Sequence, residues 1–505
     1  MPLIDALVAA CEKYGSRTAV THDGTDHSYA ELAQASARIA NGLVERGVAA
    51  GDSIGLLAPR GWWRCAAVLG IWRAGAAVVA LDPALPAQRL ARITGAAGTA
   101  LVLRDAAVTP ADRPDEPDGA GITVQDLHGA AADGPGPSLT GPVAYVVATS
   151  GSTGTPKCVA VPPVVLEDLA AWHRDTWRWT EAPRTAHAAS VGFDVGFQEL
   201  VTTWTAGAPL VVVDDRTRRD PFLLAALLTE QTVVRAFLPV ASLHALAVAV
   251  PVTGQRPTAL REVVVAGERL VVNEEVRALF AGLDATLVNQ YGPSETHVVT
   301  EHRLAPGPQT WPVHPPLGAP VAGAELLHLA DGVLRPFAEG DEAELVVAGP
   351  CLALGYLGDE ELTGERFRTF PHVFGGSRRG YLTGDLVRLQ DGVLHFVGRI
   401  DDQLKVRGYR VEPGEIEAVL GRVPGVRRAA VIGHGKDRTL ALHAYVVTDT
   451  DAAGPVDASA LRAACAAALP DYMVPARFID VPELPLTANG KVARRELKEL
   501  GAARG

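Results

Sequence analysis

Between residues 28 and 81 helix-like and strand-like stretches take turns, and this alternation limits the folds open to the chain more than any other feature. Tyr29 to Arg46 (YAELAQASARIANGLVER) spaces its apolar residues as a helix does and precedes a short apolar run, Ser53 to Leu57. Trp62 to Ala74 repeats the helical pattern, Gly75 marks a stop, and Ala77 to Leu81 is a second apolar run. Such a rhythm predicts an α/β fold with largely parallel sheets flanked by helices. Apolar runs at Leu210 to Val213, Val263 to Val265 and Glu344 to Val347 extend it. Val108 to Gly121 and Ala130 to Pro142, rich in Pro, Gly and Asp, read as surface connections.

After about residue 400 the pattern shifts. Glu415 to Gly421 and Ser459 to Leu469 read as helices, Arg428 to Ile432 and Leu440 to Val447 as strands. The expected organisation is a large N-terminal domain over residues 1–400 and a small, mobile α+β domain over residues 401–505. The net charge of −12 argues against a general nucleic-acid binder or a basic membrane-surface protein. The best candidate for a membrane span, Cys65 to Leu81, is interrupted by Arg73. The N-terminus carries Asp5 and no basic stretch, unlike a signal peptide. The five cysteines lie far apart with no CxxC, so a reducing cytoplasm is the expected location, without disulfides or structural zinc.

Five segments carry chemistry. Thr149-Ser-Gly-Ser-Thr-Gly-Thr-Pro-Lys157 follows an apolar strand, Val143 to Val147. Its small residues let backbone N–H groups approach phosphate, its hydroxyls add donors and Lys157 adds a charge. It lacks the GxxxxGK[ST] spacing of a P-loop. Asn289-Gln-Tyr-Gly-Pro-Ser-Glu295 offers a stacking ring in Tyr291 and a hard oxygen ligand in Glu295. Tyr381-Leu-Thr-Gly-Asp385 precedes Gly398-Arg-Ile-Asp401; a carboxylate after a tight turn can accept both hydroxyls of a ribose, and an Arg can balance phosphate. Gln403-Leu-Lys-Val-Arg-Gly-Tyr-Arg-Val-Glu-Pro-Gly-Glu415-Ile-Glu417, and Leu469-Pro-Asp-Tyr-Met-Val-Pro475 with Leu486-Thr-Ala-Asn-Gly-Lys491, complete the set. Each alone has an ordinary reading as a turn or a solvated charged face.

Taken together, in this order and at these distances, the segments resemble the adenylate-forming enzymes, and most of all the amino-acid adenylation domains of nonribosomal peptide synthesis. The resemblance runs from Ser28-Tyr-Ala-Glu-Leu32 and Leu81-Asp-Pro-Ala-Leu-Pro86 to Lys491. It implies a ligase that uses ATP and Mg²⁺ to form an acyl adenylate, then passes the acyl group to a thiol. By resemblance, Thr149, Ser150, Gly151, Ser152, Thr153, Gly154 and Lys157 hold the β- and γ-phosphates, Asn289 and Tyr291 the adenine, with Gly292 and Ser294 in the same nucleotide-binding segment. Glu295 is the expected Mg²⁺ ligand, Asp385 the ribose acceptor, and Arg399 supports ribose and phosphate. Lys491 would bridge substrate carboxylate and nucleotide, Asp401 would be a hinge, and Lys405 to Gly408 would face the site in the second step. Cys158, Ala343 and Leu354 depart from the family's usual Gly, Gly and Arg.

Gly192-Phe193-Asp194 resembles the motif whose Asp receives an α-ammonium, so Asp194 and Lys491 would clasp a zwitterion. The remaining pocket positions align with Val195, Gln198, Phe237, Val264, Ala266, Gln290, Val298 and Val299. That wall carries no ionisable group besides the two clamps, and a polar substrate side chain left unpaired there costs about 1–3 kcal/mol. The string D-V-Q-F-V-A-Q-V-V-K resembles signatures of proline-activating domains, with Gln290 in place of the His found in many. The expected activity is that of a free-standing L-proline–carrier-protein ligase. Its partner would be a separate phosphopantetheinylated peptidyl carrier protein, and a small accessory protein stays open. Another small or cyclic apolar amino acid, such as pipecolate or a methylproline, is the alternative substrate, and an acyl- or aryl-CoA ligase the more distant alternative.

Overall fold

A computed structural model describes residues 1–108, 121–130, 136–138, 140–151, 155–177, 179, 182–189, 192–406, 409–435, 440–448, 457–485, 492–494 and 496–498. The fold is the mixed α/β kind, with a large N-terminal and a smaller C-terminal part. Two compact units emerge. One takes Met1–Pro83, Ala97–Val147 and Cys158–Ile400; the other takes Ala84–Ala96, Ala148–Lys157 and Asp401–Gly505.

In the first unit, the helix Tyr29–Glu45 starts at a capping box: the Ser28 hydroxyl accepts the Glu31 N–H, and the Glu31 carboxylate accepts the Ser28 N–H at 2.6 Å. Its Leu32, Ala35, Ile39 and Leu43 recur at helical spacing and are buried. The Trp62–Arg73 helix is buried nearly all round. Its Arg64 is satisfied by the Ala58 carbonyl at 2.8 Å, and burial pulls the guanidinium down to about 10.

A nine-stranded sheet runs in the spatial order Ala319–Pro320, Thr300–Arg303, Thr286–Tyr291, Glu262–Ala266, Arg235–Pro239, Thr185–His187, Leu210–Val212, Thr18–His22, Thr25–Ser28. The six strands from Thr286–Tyr291 to Thr18–His22 are parallel, and the outer ones antiparallel. A seven-stranded sheet holds Ser53–Leu57 between the parallel strands Ala77–Leu81 and Thr99–Arg104. A six-stranded sheet built from residues 325–399 is antiparallel. Its apolar runs predict strands but not their direction, because direction is fixed by partners far along the chain. The strand expected at Val143 to Val147 lies at Tyr145–Thr149.

The second unit has a hairpin, Leu404–Val406 with Tyr409–Val411, and a three-stranded sheet of Val426–His434, Ala441–Thr448 and Arg477–Asp480. The helices Pro413–Leu420 and Ala458–Ala468 contribute Ile416, Leu420, Leu461 and Cys465 to its core. All five thiols are free and buried, and burial raises Cys65 and Cys351 to about 12. No helix among the described residues is long and apolar enough to cross a membrane.

The helix Asp194–Trp204 is anchored in the first unit by its aromatic residues. Phe197 stacks on Tyr145 with ring centroids 4.2 Å apart, and the Trp204 indole donates to the Ala19 carbonyl at 3.2 Å. We predict that Phe197→Ala lowers the unfolding free energy by roughly 3–5 kcal/mol, seen as an earlier urea transition. A native midpoint in that variant would show that the stack contributes nothing.

Candidate active site

Parallel strands deliver loops at their carboxyl ends, and that is where ligands bind in such sheets. Thr286–Tyr291 ends in Asn289, Gln290 and Tyr291. The Tyr291 hydroxyl donates to Asp385 Oδ2 at 2.5 Å, and Arg399 forms an ion pair with Asp385 Oδ1. Asp385 and Arg399 face each other across antiparallel strands, and Thr383 Oγ1 accepts the Asp385 N–H at 3.0 Å. Burial, and then the Asp385 charge, raise the Tyr291 phenol well above its ordinary value, so it stays a donor. Asn289 Nδ2 donates to the Pro316 carbonyl at 2.8 Å. The turn after Tyr291 is tight: a Cβ on Gly292 would lie 1.7 Å from the His297 carbonyl oxygen. Ser294 is half-buried in that turn. Glu295 is fully buried and its Oε1 accepts the Tyr356 hydroxyl at 2.8 Å.

A second group of residues surrounds the start of Asp194–Trp204. Asp194 occupies the helix's first position and is 8% exposed, with its Oδ1 accepting the Val195 N–H at 2.8 Å. Phe237 and Val264 are register partners on adjacent parallel strands, and Val264 pairs with Val288. These three form one apolar patch with Val195 and Trp177. Ala266 ends its strand, opposite Pro239. Gln198 and Gln290 meet side chain to side chain at 3.0 Å. Val298 packs with Leu169 and Val321, whereas Val299 joins the main core.

Within the second unit, the Ser150 hydroxyl donates to the Arg410 carbonyl at 2.8 Å and the Gly151 N–H to Glu415 at 3.2 Å. A Cβ on Gly151 would lie 1.8 Å from the Thr155 carbonyl oxygen, so position 151 requires glycine. Thr149 ends the strand before this turn. Lys157 is buried, 3.3 Å from Glu412, and Arg89 meets Glu415 at 2.5 Å. Ser150 thus offers a hydroxyl, Gly151 an amide and Lys157 an ammonium, the donors an anion needs. Asp401 is exposed and accepts the Gln403 N–H at 3.3 Å, and Lys405 lies on the hairpin opposite Arg410. Ser152, Thr153, Gly154, Gly408 and Lys491 lie outside the described residues.

Residues 7–357 match the AMP-binding enzyme family, and residues 415–491 match the AMP-binding enzyme C-terminal domain. The chain belongs to the AMP-binding enzymes. It is 36% identical over 97% of its length to surfactin synthase subunit 2 of Bacillus subtilis, of which it spans 13%. It resembles a holo four-domain nonribosomal peptide synthetase bound to AMP and glycine, with TM-score 0.69 and 29% identity over 98% of this chain and 36% of that one. A holo nonribosomal protein containing adenylation and PCP domains gives TM-score 0.84 and 25% identity over 98% of this chain and 84% of that one.

AMP-binding enzymes of the adenylate-forming kind use ATP with Mg²⁺. Mg²⁺ favours one or two carboxylates plus substrate phosphates over an all-protein cage. The donors here fit that habit: Glu295 is a buried carboxylate, and no cluster of three or more His, Cys, Asp or Glu suited to a metal occurs among the described residues. Glu295 would hold the ion together with the nucleotide's own oxygens.

Tyr291, Asp385 and Arg399 are brought together, with the phenol of Tyr291 bonded to the carboxylate expected to bind ribose. The apolar wall departs from expectation in one respect. It is not free of ionisable neighbours beyond its two clamps: Gln290 Nε2 donates to Glu301 Oε2 at 2.9 Å, and Gln198 Nε2 meets His173 Nε2 at 2.9 Å. Glu301 is Gln290's cross-strand register partner, so only the strand pairing reveals it. His173 comes from the Pro163–Trp177 helix, and no motif singles it out.

Tyr291→Phe removes a hydrogen bond to a charged group. We predict about tenfold weaker ATP binding by calorimetry; native affinity would separate Tyr291 from the nucleotide. His173 supplies a pH test. Burial, then Arg235, His297 and Arg303, push it well below 6.5. The unfolded chain takes up a proton near pH 6.5 and the folded chain does not, so stability falls as pH drops below about 6.5. His173→Gln should flatten that slope in melting curves; an unaltered slope would contradict a neutral buried His173.

Proposed function

We propose that this chain activates L-proline as prolyl adenylate and passes the prolyl group to the phosphopantetheine thiol of a peptidyl carrier protein. In the first step a substrate carboxylate oxygen bonds to the α-phosphorus, and the α–β P–O bond breaks to release pyrophosphate. In the second the thiol sulfur bonds to the acyl carbon, the C–O bond to AMP breaks, and the thiol proton is lost. Neither step needs a covalent protein group; both need positioned charge.

The observation that carries the reading is Asp194. A carboxylate at 8% exposure, one turn from fully buried Gln198 and beside the Phe237–Val264 patch, suits a small apolar molecule with a cationic end. The residues from Thr149 to Lys157 would bind the outer phosphates. Asn289 and Tyr291 would bind adenine, and Asp385 with Arg399 the ribose. Lys491 would contact the substrate carboxylate in the first step. A boundary between residues 400 and 401, with Asp401 as pivot, would let Lys405 replace Lys491 for the second. The carrier is supported by the similar protein that contains adenylation and PCP domains.

ATP–pyrophosphate exchange across the amino acids tests this. Proline should give the strongest exchange, and Asp194→Ala should abolish it while ATP still binds. Background-level exchange with proline would refute the substrate assignment, and proline turnover by the Asp194 variant would refute the role of that residue.

A further inference from the structure

Behind the apolar patch runs a chain of polar side chains drawn from five separate elements, all of them buried except Arg303. Glu301 is paired with Arg303 at 3.4 Å, and Arg303 also meets Glu262 at 2.6 Å. Glu301 Oε2 accepts from Gln290 Nε2, whose own Oε1 accepts from Gln198 Nε2; that same Gln198 nitrogen meets His173 Nε2. An ionised carboxylate only accepts, so Glu301 fixes which end of the Gln290 amide is nitrogen. Gln290 Oε1 then fixes the Gln198 amide in turn, and its second N–H goes to His173 Nε2 as acceptor. His173 is wedged edge-on against Trp177, ring centroids 3.9 Å apart, and against Trp172 at 4.9 Å.

This leaves over Gln198 Oε1, and the N–H that this tautomer places on His173 Nδ1. Gln198 is fully buried and that oxygen has no hydrogen-bond partner among the described residues. A buried acceptor left unmade is costly. Gln198 stands four residues after Asp194 in Asp194–Trp204, on the same helix face.

We propose that Glu301 and His173 are positioning residues which turn the Gln198 amide oxygen into a second acceptor for the substrate's ammonium, beside Asp194, and that the pair selects a secondary amine. A secondary ammonium has two N–H groups, one for each acceptor. A primary ammonium brings a third, which must share an oxygen that already accepts, Asp194 Oδ1 being engaged by the Val195 N–H. The inference rests on Asp194 as the ammonium acceptor and extends it to the class of amine.

The test is exchange kinetics with two secondary amino acids, L-proline and L-pipecolate, and two primary ones, L-valine and L-leucine. Native protein, Glu301→Gln, His173→Leu and His173→Gln are compared. Glu301→Gln lets the relay run either way. It should raise KM for the secondary amino acids about tenfold, leave KM for ATP in place and erode the preference for secondary over primary amines. His173→Leu should do the same, and His173→Gln, which restores an acceptor, should recover most of the preference. A native preference ratio in Glu301→Gln and His173→Leu, or KM values for ATP and amino acid that rise together, would overturn the relay while leaving proline activation standing. A native protein that favours valine or leucine over proline would overturn both. If Glu301→Gln does not fold, the His173 pair decides by the same criteria.

Discussion

An aspartate can meet a substrate's ammonium only if the backbone that carries it is fixed, and one buried carboxylate does that here. Glu199 is fully buried in the Asp194–Trp204 helix. Its Oε1 accepts the N–H groups of Ala188 and Ala189 at 3.1 and 3.0 Å, and its Oε2 meets His187 Nδ1 at 2.6 Å. The end of the Thr185–His187 strand is thereby tied to the helix that begins with Asp194. Arg60 adds a bond to the Ala189 carbonyl and a 3.3 Å ion pair to Asp215. A charge buried this deeply is tolerable only with its acceptor sites filled.

The same arrangement recurs around the nucleotide-site candidates. Asp385 is gripped on one oxygen by Tyr291 and on the other by Arg399, so its carboxylate is set before any ligand arrives. Electrostatic groups fixed in advance cost no reorganisation at the moment of reaction. The amino-acid pocket follows another logic. Its apolar patch comes from register-matched residues of parallel strands, and its polar side chains are directed by partners behind them.

Much of this was legible in the sequence. The helix at Tyr29 and the strands Ser53–Leu57 and Ala77–Leu81 follow from local periodicity, and Ser28 with Glu31 marks the helix start. Long-range pairings were not. Nothing local says that Tyr291 and Asp385, 94 residues apart, share a hydrogen bond, or that Glu301 lies opposite Gln290. Nor does periodicity show that Ala84–Ala96 and Ala148–Lys157 group with the C-terminal segment. His173 was invisible because a single histidine on a helix has no signature until its neighbours are known. Only resemblance points to the pocket's valines; Val264 lies in the patch with Phe237, and Val299 packs in the main core.

The central claim is that Asp194 receives the positive end of an amino acid. A crystal structure with a non-hydrolysable prolyl-adenylate analogue addresses it most directly. The ring nitrogen is expected within about 3 Å of the Asp194 carboxylate, with the pyrrolidine against Phe237 and Val264. A nitrogen turned away from Asp194, with the ring elsewhere, would contradict it.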